Sequence, residues 1–139
     1  MTRALVDSNI IVYSLTSDDE RKKTDSLNLL LELARNHELV FSSQNIAETA
    51  RVLLEKTSEC ISPEDMLCEL RDHCKKADVV SYSNKTVFEA ILISSKYKLH
   101  FFDALLAATM KENSIKVIYT ENVRDFKNLP FIKAINPFN

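Results

Sequence analysis

The stretch Ala4-Leu5-Val6-Asp7-Ser8-Asn9 decides the fold, because a short apolar run meets three polar residues without a linker. An apolar run that stops at a turn signal is typical of a buried strand, here ending at Asp7. Residues 10–15 then predict a short helix. A buried strand followed at once by a helix is the repeating unit of a parallel α/β sheet.

The same alternation continues along the chain and predicts one α/β domain spanning residues 1–139, since no Pro-rich or Ser-rich linker divides it. Further strands are predicted at 39–41, 78–80, 116–119 and 132–135, with helices at 20–36, 44–56, 63–76, 84–97 and 102–112. Ser62 and Pro63 give the clearest helix start, a capping residue followed by proline at the first helical position. A parallel sheet covered by helices on both faces follows from this order, and its ligands are expected beyond the carboxyl ends of the strands.

Composition narrows the classes of function. The formal net charge is −2, so nucleic acid would have to be attracted by local basic patches and metal ions, which argues against a structural DNA-coating protein. Glycine is absent, and that excludes both glycine-rich phosphate-binding motifs. Any phosphate chemistry must therefore depend on metal and carboxylates.

The expected location is the cytoplasm. The first residues lead directly into a strand, without the basic and apolar segments of a signal peptide. No apolar run approaches the roughly 18 residues of a membrane span. Cys60, Cys68 and Cys74 are odd in number and form no C-x-x-C pair, so we expect reduced thiols.

Acidic side chains fall where such a sheet would gather its ligands. Asp7 ends the first strand, Asp103 opens an apolar helix, and the segment 119–126 follows the fourth strand. Each has an ordinary alternative: Asp7 and Asp103 could cap helices, Glu48 could be a solvated helix residue, and Asp125 could cap or pair with Arg124. Considered together they predict one acidic rim that a divalent cation would stabilise.

These residues resemble the PIN-domain nucleases, especially the VapC-like toxins. The resemblance is carried by Val6-Asp7-Ser8-Asn9, Asn45-Ile46-Ala47-Glu48, Phe102-Asp103-Ala104-Leu105-Leu106-Ala107-Ala108 and Thr120-Glu121-Asn122-Val123-Arg124-Asp125-Phe126, in that order. It implies a three-layer α/β/α sandwich, a homodimer, RNA cleavage dependent on Mg²⁺ or Mn²⁺, and inhibition by a small antitoxin protein.

The resemblance also implies a set of site residues. Asp7, Glu48 and Asp103 would be metal-binding carboxylates, and Asp125 is expected to be the fourth. Ser8 and Asn9 would orient Asp7, Thr120 and Asn122 would support Asp125, and Glu121 is the reserve for the fourth acidic position.

The sequence therefore predicts an endoribonuclease, the toxin of a type II toxin–antitoxin pair. The alternative is a PIN-like module that binds RNA or protein without cleaving it. RNA would be contacted by exposed basic residues, with Arg124 and Lys127 favoured because they flank the expected site, whereas Phe126 is expected in the core.

Overall fold

A computed structural model describes residues 2–56 and 62–138, so Cys60 lies outside the described residues. The strands are β1 (Ala4–Val6), β2 (Leu39–Ser42), β3 (Asp78–Val80), β4 (Val117–Tyr119) and β5 (Lys133–Ile135). The helices are α1 (Ser8–Leu15), α2 (Glu20–Arg35), α3 (Ser43–Glu55), α4 (Pro63–Lys75), α5 (Asn84–Tyr97) and α6 (Phe101–Glu112), and a 3-10 turn spans Val123–Asp125.

The strands form one sheet in the order β3-β2-β1-β4-β5, and every pair is parallel. The chain builds outward from β1 on one side through β2 and β3, then returns to pair β4 with β1 on the other side. The strand order therefore reverses between β1 and β4, which is the position where open parallel sheets bind ligands. Asp7 follows β1 at this point, and its backbone N–H donates to the Tyr119 carbonyl at 3.0 Å.

The sheet separates two apolar layers, which confirms the predicted three-layer sandwich. Leu5, Val40 and Ile118 pack with α5 and α6 on one face. Their neighbours along the strands pack on the opposite face with residues of α1 and α2, as Val6 and Phe41 show. Alternate residues of a strand point to opposite faces, and both faces of β1 and β2 are buried, whereas the edge strands β3 and β5 include the exposed residues Asp78 and Lys133.

Helix starts differ slightly from the predictions, and the differences concern two acidic residues. α1 begins at Ser8, two residues early, because the Asp7 carboxylate accepts from the Ser8 backbone N–H at 2.8 Å and caps the helix. α6 begins at Phe101 with His100 at the N-cap, so Asp103 lies within the first turn. The alternative interpretation of Asp103 as a helix cap is therefore wrong, whereas Asp7 does cap its helix.

Helix α6 is buried along seven consecutive residues, Ala104, Leu105, Leu106, Ala107, Ala108, Thr109 and Met110. Its alanines leave room for α5 to pack closely, and this packing fixes the position of the first turn, which carries Asp103. Phe126, 1% exposed, lies in the same core as predicted. Within the described ranges, no helix is both long enough and apolar enough to cross a membrane.

Candidate active site

A cavity of about 320 Å³ lies at the position where the strand order reverses. Four acidic side chains line it, and each comes from a different segment: Asp7 after β1, Glu48 in α3, Asp103 in α6 and Asp125 in the 3-10 turn. Ser8, Asn9 and Asn122 also line it. The fold thus brings together all four predicted carboxylates, although they are far apart in sequence.

The Asp7 carboxylate accepts hydrogen bonds from two side chains and one backbone N–H. Thr120 Oγ1 donates to its Oδ2 at 2.7 Å, and Asn45 Nδ2 donates to its Oδ1 at 3.1 Å. The Ser8 N–H completes the set. Burial raises the pKa of Asp7, while the hydrogen bonds from Thr120 and Ser8 offset part of that rise. The carboxylate is therefore fixed in orientation yet costly to ionise.

Glu48 lies across the cavity from the strand ends, on α3. Ser8 Oγ donates to its Oε2 at 3.5 Å, and Gln44 Nε2 donates to its Oε1 at 3.3 Å. Both distances are at the long end of the hydrogen-bond range, so Glu48 is only loosely restrained. Glu48 lines the cavity and is only partly exposed, so it is not the fully solvated helix residue that its sequence position first suggests.

Asp103 is the second carboxylate of the site whose pKa is raised. Burial raises its pKa from 3.8 to about 6, and the negative charge of Asp125 adds to the rise. The charges of Asp7 and Glu48 act in the same direction. Among the described residues, no hydrogen bond compensates the Asp103 carboxylate. Only the charge of His100 acts in the opposite direction on Asp103. A cluster of carboxylates with so little compensation at one member is typical of a site built for a cation or for proton transfer.

The supporting residues divide into two groups. Thr120 is fully buried and holds Asp7, and it also accepts from the Asn122 N–H at 3.0 Å, which shapes the loop after β4. Glu121 instead accepts from Tyr13 Oη at 2.6 Å and from Lys22 Nζ, and it does not line the cavity. The geometry therefore places Asp125, and not Glu121, with the other acids.

Three polar residues were given no role by the sequence argument. Asn45 is fully buried and links Asp7 to Ser42, whose Oγ donates to the Asn45 Oδ1 at 2.7 Å. Gln44 and Tyr13 line the cavity. Their only signal in the sequence was position: Asn45 stands one turn before Glu48 on the same helix, and a buried polar residue there needs a partner.

The donor set suits a hard cation, though the side chains do not close around one point. Within residues 2–56 and 62–138, no three His, Cys, Asp or Glu side chains are close enough together to hold one ion jointly. Mg²⁺ commonly takes one or two carboxylates directly and keeps several water ligands. The four carboxylates of this cavity would suit that mode of binding.

The PIN domain family model matches residues 4–132 of this sequence. No curated protein sequence matches it significantly.

Solved structures share the fold at low identity. The VapBC2 complex of Rickettsia felis, bound to a DNA fragment from its promoter, aligns with a TM-score of 0.74 and 20% identity over 97% of this chain and 98% of its own. The DNA-bound VapBC of Salmonella typhimurium aligns with a TM-score of 0.71 and 17% identity over 99% of this chain and 99% of its own. VapC20 of Mycobacterium tuberculosis, a toxin that cleaves the sarcin–ricin loop, aligns with a TM-score of 0.72 and 15% identity. The alignment covers 93% of this chain and 96% of VapC20.

Proposed function

This chain belongs to the PIN-domain family, and from that premise we propose that it is a Mg²⁺- or Mn²⁺-dependent endoribonuclease. The observation that carries the proposal is the single cavity lined by Asp7, Glu48, Asp103 and Asp125, at the reversal of strand order. A module that only bound a partner would gain nothing from gathering four carboxylates in one cavity, where burial raises the pKa of Asp7 and of Asp103.

In the proposed mechanism Asp7 and Asp103 would hold the ion, and Glu48 and Asp125 would support it through water. When bound, the ion supplies an acidified water and neutralises charge on the scissile phosphate. Thr120, Asn45 and the Ser8 N–H orient Asp7, so its oxygens are fixed before substrate arrives.

RNA phosphates would be contacted by basic residues at the rim. Arg124 and Lys127 are exposed and flank Asp125. Lys56, at the end of α3, lines the cavity itself, whereas Lys22 is already paired with Glu121. We assign the phosphate contacts to Arg124 and Lys127, with Lys56 as a further contact, and the expected product carries a 5′-phosphate.

The direct test is cleavage of a labelled RNA by the wild type, Asp7→Asn and Asp103→Asn, with Mg²⁺ and with EDTA. Cleavage by the wild type in Mg²⁺ alone, with both variants reduced by at least about 100-fold, supports the proposal. Asp72→Asn is the matched control, because Asp72 is exposed on α4 and does not line the cavity. Normal cleavage by Asp103→Asn would contradict the assignment.

We further propose that the enzyme acts as the toxin of a toxin–antitoxin pair, as a cytoplasmic homodimer inhibited by a small antitoxin protein. The support is the shared fold with the VapBC complexes. Induced expression of the wild type should arrest growth and create new RNA ends, while Asp7→Asn should do neither. Coexpression of a small protein encoded beside it should restore growth. Growth unaffected by active wild-type enzyme would argue against the toxin role.

One observation favours a second candidate, a PIN-like module that binds RNA or protein without cleaving it. The acidic side chains share the cavity without converging on one point. Titration with Mn²⁺ separates the two candidates: absence of binding at millimolar concentration would favour the inactive module, and saturable binding would favour the nuclease.

A further inference from the structure

We propose that Tyr13 determines the choice of RNA over DNA, by accepting a hydrogen bond from the 2′-hydroxyl of a ribose bound in the acidic cavity. Tyr13 lies on α1 and lines this cavity, and among the described residues it is the one aromatic side chain that does so. The inference deepens the proposed nuclease function and rests on it for the class of reaction.

The proposed reaction does not itself require a 2′-hydroxyl. Water that attacks a phosphate and leaves a 5′-phosphate cuts RNA and DNA by the same chemistry, since the 2′-oxygen forms no bond in that step. A choice of RNA must therefore come from a contact to the sugar, and the 2′-hydroxyl is the group by which a protein tells RNA from DNA. The residue that makes this contact has to present a hydrogen-bonding atom in the cavity.

The hydroxyl of Tyr13 is held as an acceptor. It donates its one proton to Glu121 Oε1 at 2.6 Å, and an ionised carboxylate can only accept. Burial opposes ionisation of Glu121, but the hydrogen bonds from Lys22 and Tyr13 outweigh it and lower the pKa of Glu121. Burial and the bond to Glu121 raise the pKa of Tyr13, so the phenol keeps its proton. Lys22, beside the phenol, uses at most one of the two Oη lone pairs, and the other is left for a donor such as a ribose hydroxyl.

Tyr13 is also fixed in place before a substrate binds. Lys22 Nζ lies 5.0 Å from the centre of the Tyr13 ring and 5.6 Å from that of Phe138. Phe138 packs edge-on against Tyr13, with the ring centres 5.6 Å apart. Lys22 also donates to Glu121, so α2, the loop after β4 and the C-terminal residues all restrain the phenol. A restrained hydroxyl loses little conformational entropy when a ribose binds, which favours selective recognition.

The end of the cavity beside Tyr13 suits the nucleotide next to the scissile phosphate. Tyr13 follows Asp7 by six residues, which corresponds to about 9 Å along the helix axis. Val12 and Val52 pack in one apolar cluster and line this end, and Lys56 lines it one turn further along α3. Apolar walls suit the ring of a sugar, and a lysine suits the phosphate that follows it. A strand whose scissile phosphate lies among the carboxylates therefore places a 2′-hydroxyl at Tyr13.

The experiment compares the wild type, Tyr13→Phe and the control Tyr97→Phe. Tyr13→Phe keeps the ring and removes only the hydroxyl, whereas Tyr97 is half-buried on α5, packs edge-on against Phe131 and does not line the cavity. Fluorescence anisotropy, with Ca²⁺ in place of Mg²⁺, measures binding to one short labelled strand made as RNA, as DNA and with 2′-fluorine on every sugar. The 2′-fluoro strand keeps the sugar conformation of RNA but has no hydroxyl to donate. Thermal melting verifies folding, and Mn²⁺ binding verifies the acidic site.

The wild type should bind the RNA strand about 3- to 10-fold more tightly than the 2′-fluoro strand, as expected for one neutral hydrogen bond. Tyr13→Phe should bind both strands with the affinity that the wild type has for the 2′-fluoro strand, and Tyr97→Phe should match the wild type throughout. A Tyr13→Phe variant that keeps the full preference, or a wild type that has none, would overturn the proposal. Equal weakening of Tyr13→Phe on all three strands would overturn it as well, because the hydroxyl would then contact no group that is specific to RNA.

Cleavage in Mg²⁺ separates this inference from the nuclease proposal. RNAs with one 2′-fluoro sugar at successive positions should be cut more slowly by the wild type at one position beside the cut, and Tyr13→Phe should show no such position. If the wild type cleaves RNA but Tyr13→Phe keeps the RNA preference, the inference fails and the nuclease stands. If Tyr13→Phe loses the RNA preference in binding while the wild type never cleaves, the inference is supported and the nuclease proposal fails.

Discussion

Replacing Asp103 by asparagine should stabilise the metal-free protein at neutral pH, although it removes a proposed ligand. The pKa of Asp103 rises from 3.8 to about 6 in the folded protein, mainly through burial. The folded state therefore holds a proton that the unfolded state releases between these values. Ionising Asp103 makes folding less favourable. The free energy of unfolding therefore falls as the pH rises from about 4 to about 6, and it stays lower above pH 6.

The magnitude follows from the size of the shift. A shift of one pKa unit is equivalent to about 1.4 kcal/mol, so the shift to about 6 sets an upper limit of about 3 kcal/mol. Asp103 is only partly buried, and solvent screening reduces this figure to about 1–2 kcal/mol. Asparagine has nearly the same shape and no charge, and the described residues give Asp103 no side-chain hydrogen bond to lose.

Urea unfolding in EDTA at about pH 4 and about pH 7.5 measures this effect for wild type and Asp103→Asn. The variant should gain about 1–2 kcal/mol at the higher pH and little at the lower one. Asp72→Asn, at an exposed site, should stay within about 0.5 kcal/mol of wild type at both. Adding Mn²⁺ should reverse the order, because only the wild type retains the full site. A variant less stable than wild type at pH 7.5 without metal would refute the reasoning.

Four further predictions concern the residues around Asp7 and Asp103. Asn45→Ala should lower stability by about 1–3 kcal/mol, measured by urea unfolding, and reduce RNA cleavage at least tenfold, because it leaves Ser42 and Asp7 without their buried partner; unchanged cleavage would show that Asp7 needs no such support. Thr120→Val keeps the side-chain shape but removes the hydroxyl that donates to Asp7, so the pKa of Asp7, followed by carboxyl-carbon NMR, should rise further. Glu121→Gln should leave Mn²⁺ affinity unchanged, since Glu121 contacts Tyr13 and Lys22; a large loss would restore it as a ligand. Asp125→Asn should lower the pKa of Asp103 in the same NMR titration, because one of the neighbouring negative charges is gone; no change would place Asp125 outside the cluster.

The sequence predicts the fold well because its signals are local. The run from Ala4 to Val6 is apolar and short, and it stops at Asp7, so a buried strand and its end can both be located. The central strands are buried on both faces and give short apolar runs that are easy to find, as β1 shows. Helix ends are harder to predict, because α6 begins at Phe101, its N-cap His100 makes no side-chain cap hydrogen bond, and nothing in the sequence marks that start.

The site could be predicted only as far as its acidic residues show a pattern. Asp7, Asp103 and Asp125 lie near strand or helix ends and all line the cavity, whereas Glu121, which the same rule selects, does not. Asn45 could not be identified, because its role depends on contact with Asp7, 38 positions away in the chain. The sequence could not show that Asp125 lines the cavity while Glu121 does not, because this depends on the turn at Val123–Asp125, which follows Glu121 and includes Asp125.

The central claim is that Asp7 and Asp103, from separate segments, would bind one divalent cation, with Glu48 and Asp125 supporting it through water. Electron paramagnetic resonance of Mn²⁺ added to the wild type, Asp7→Asn, Asp103→Asn and Glu121→Gln measures this directly, as the signal of free Mn²⁺ falls on binding. Saturable binding by the wild type and Glu121→Gln, with at least tenfold weaker binding by Asp7→Asn and Asp103→Asn, is the predicted result. Equal Mn²⁺ affinity in all four proteins, or none in the wild type at millimolar concentration, would contradict the account.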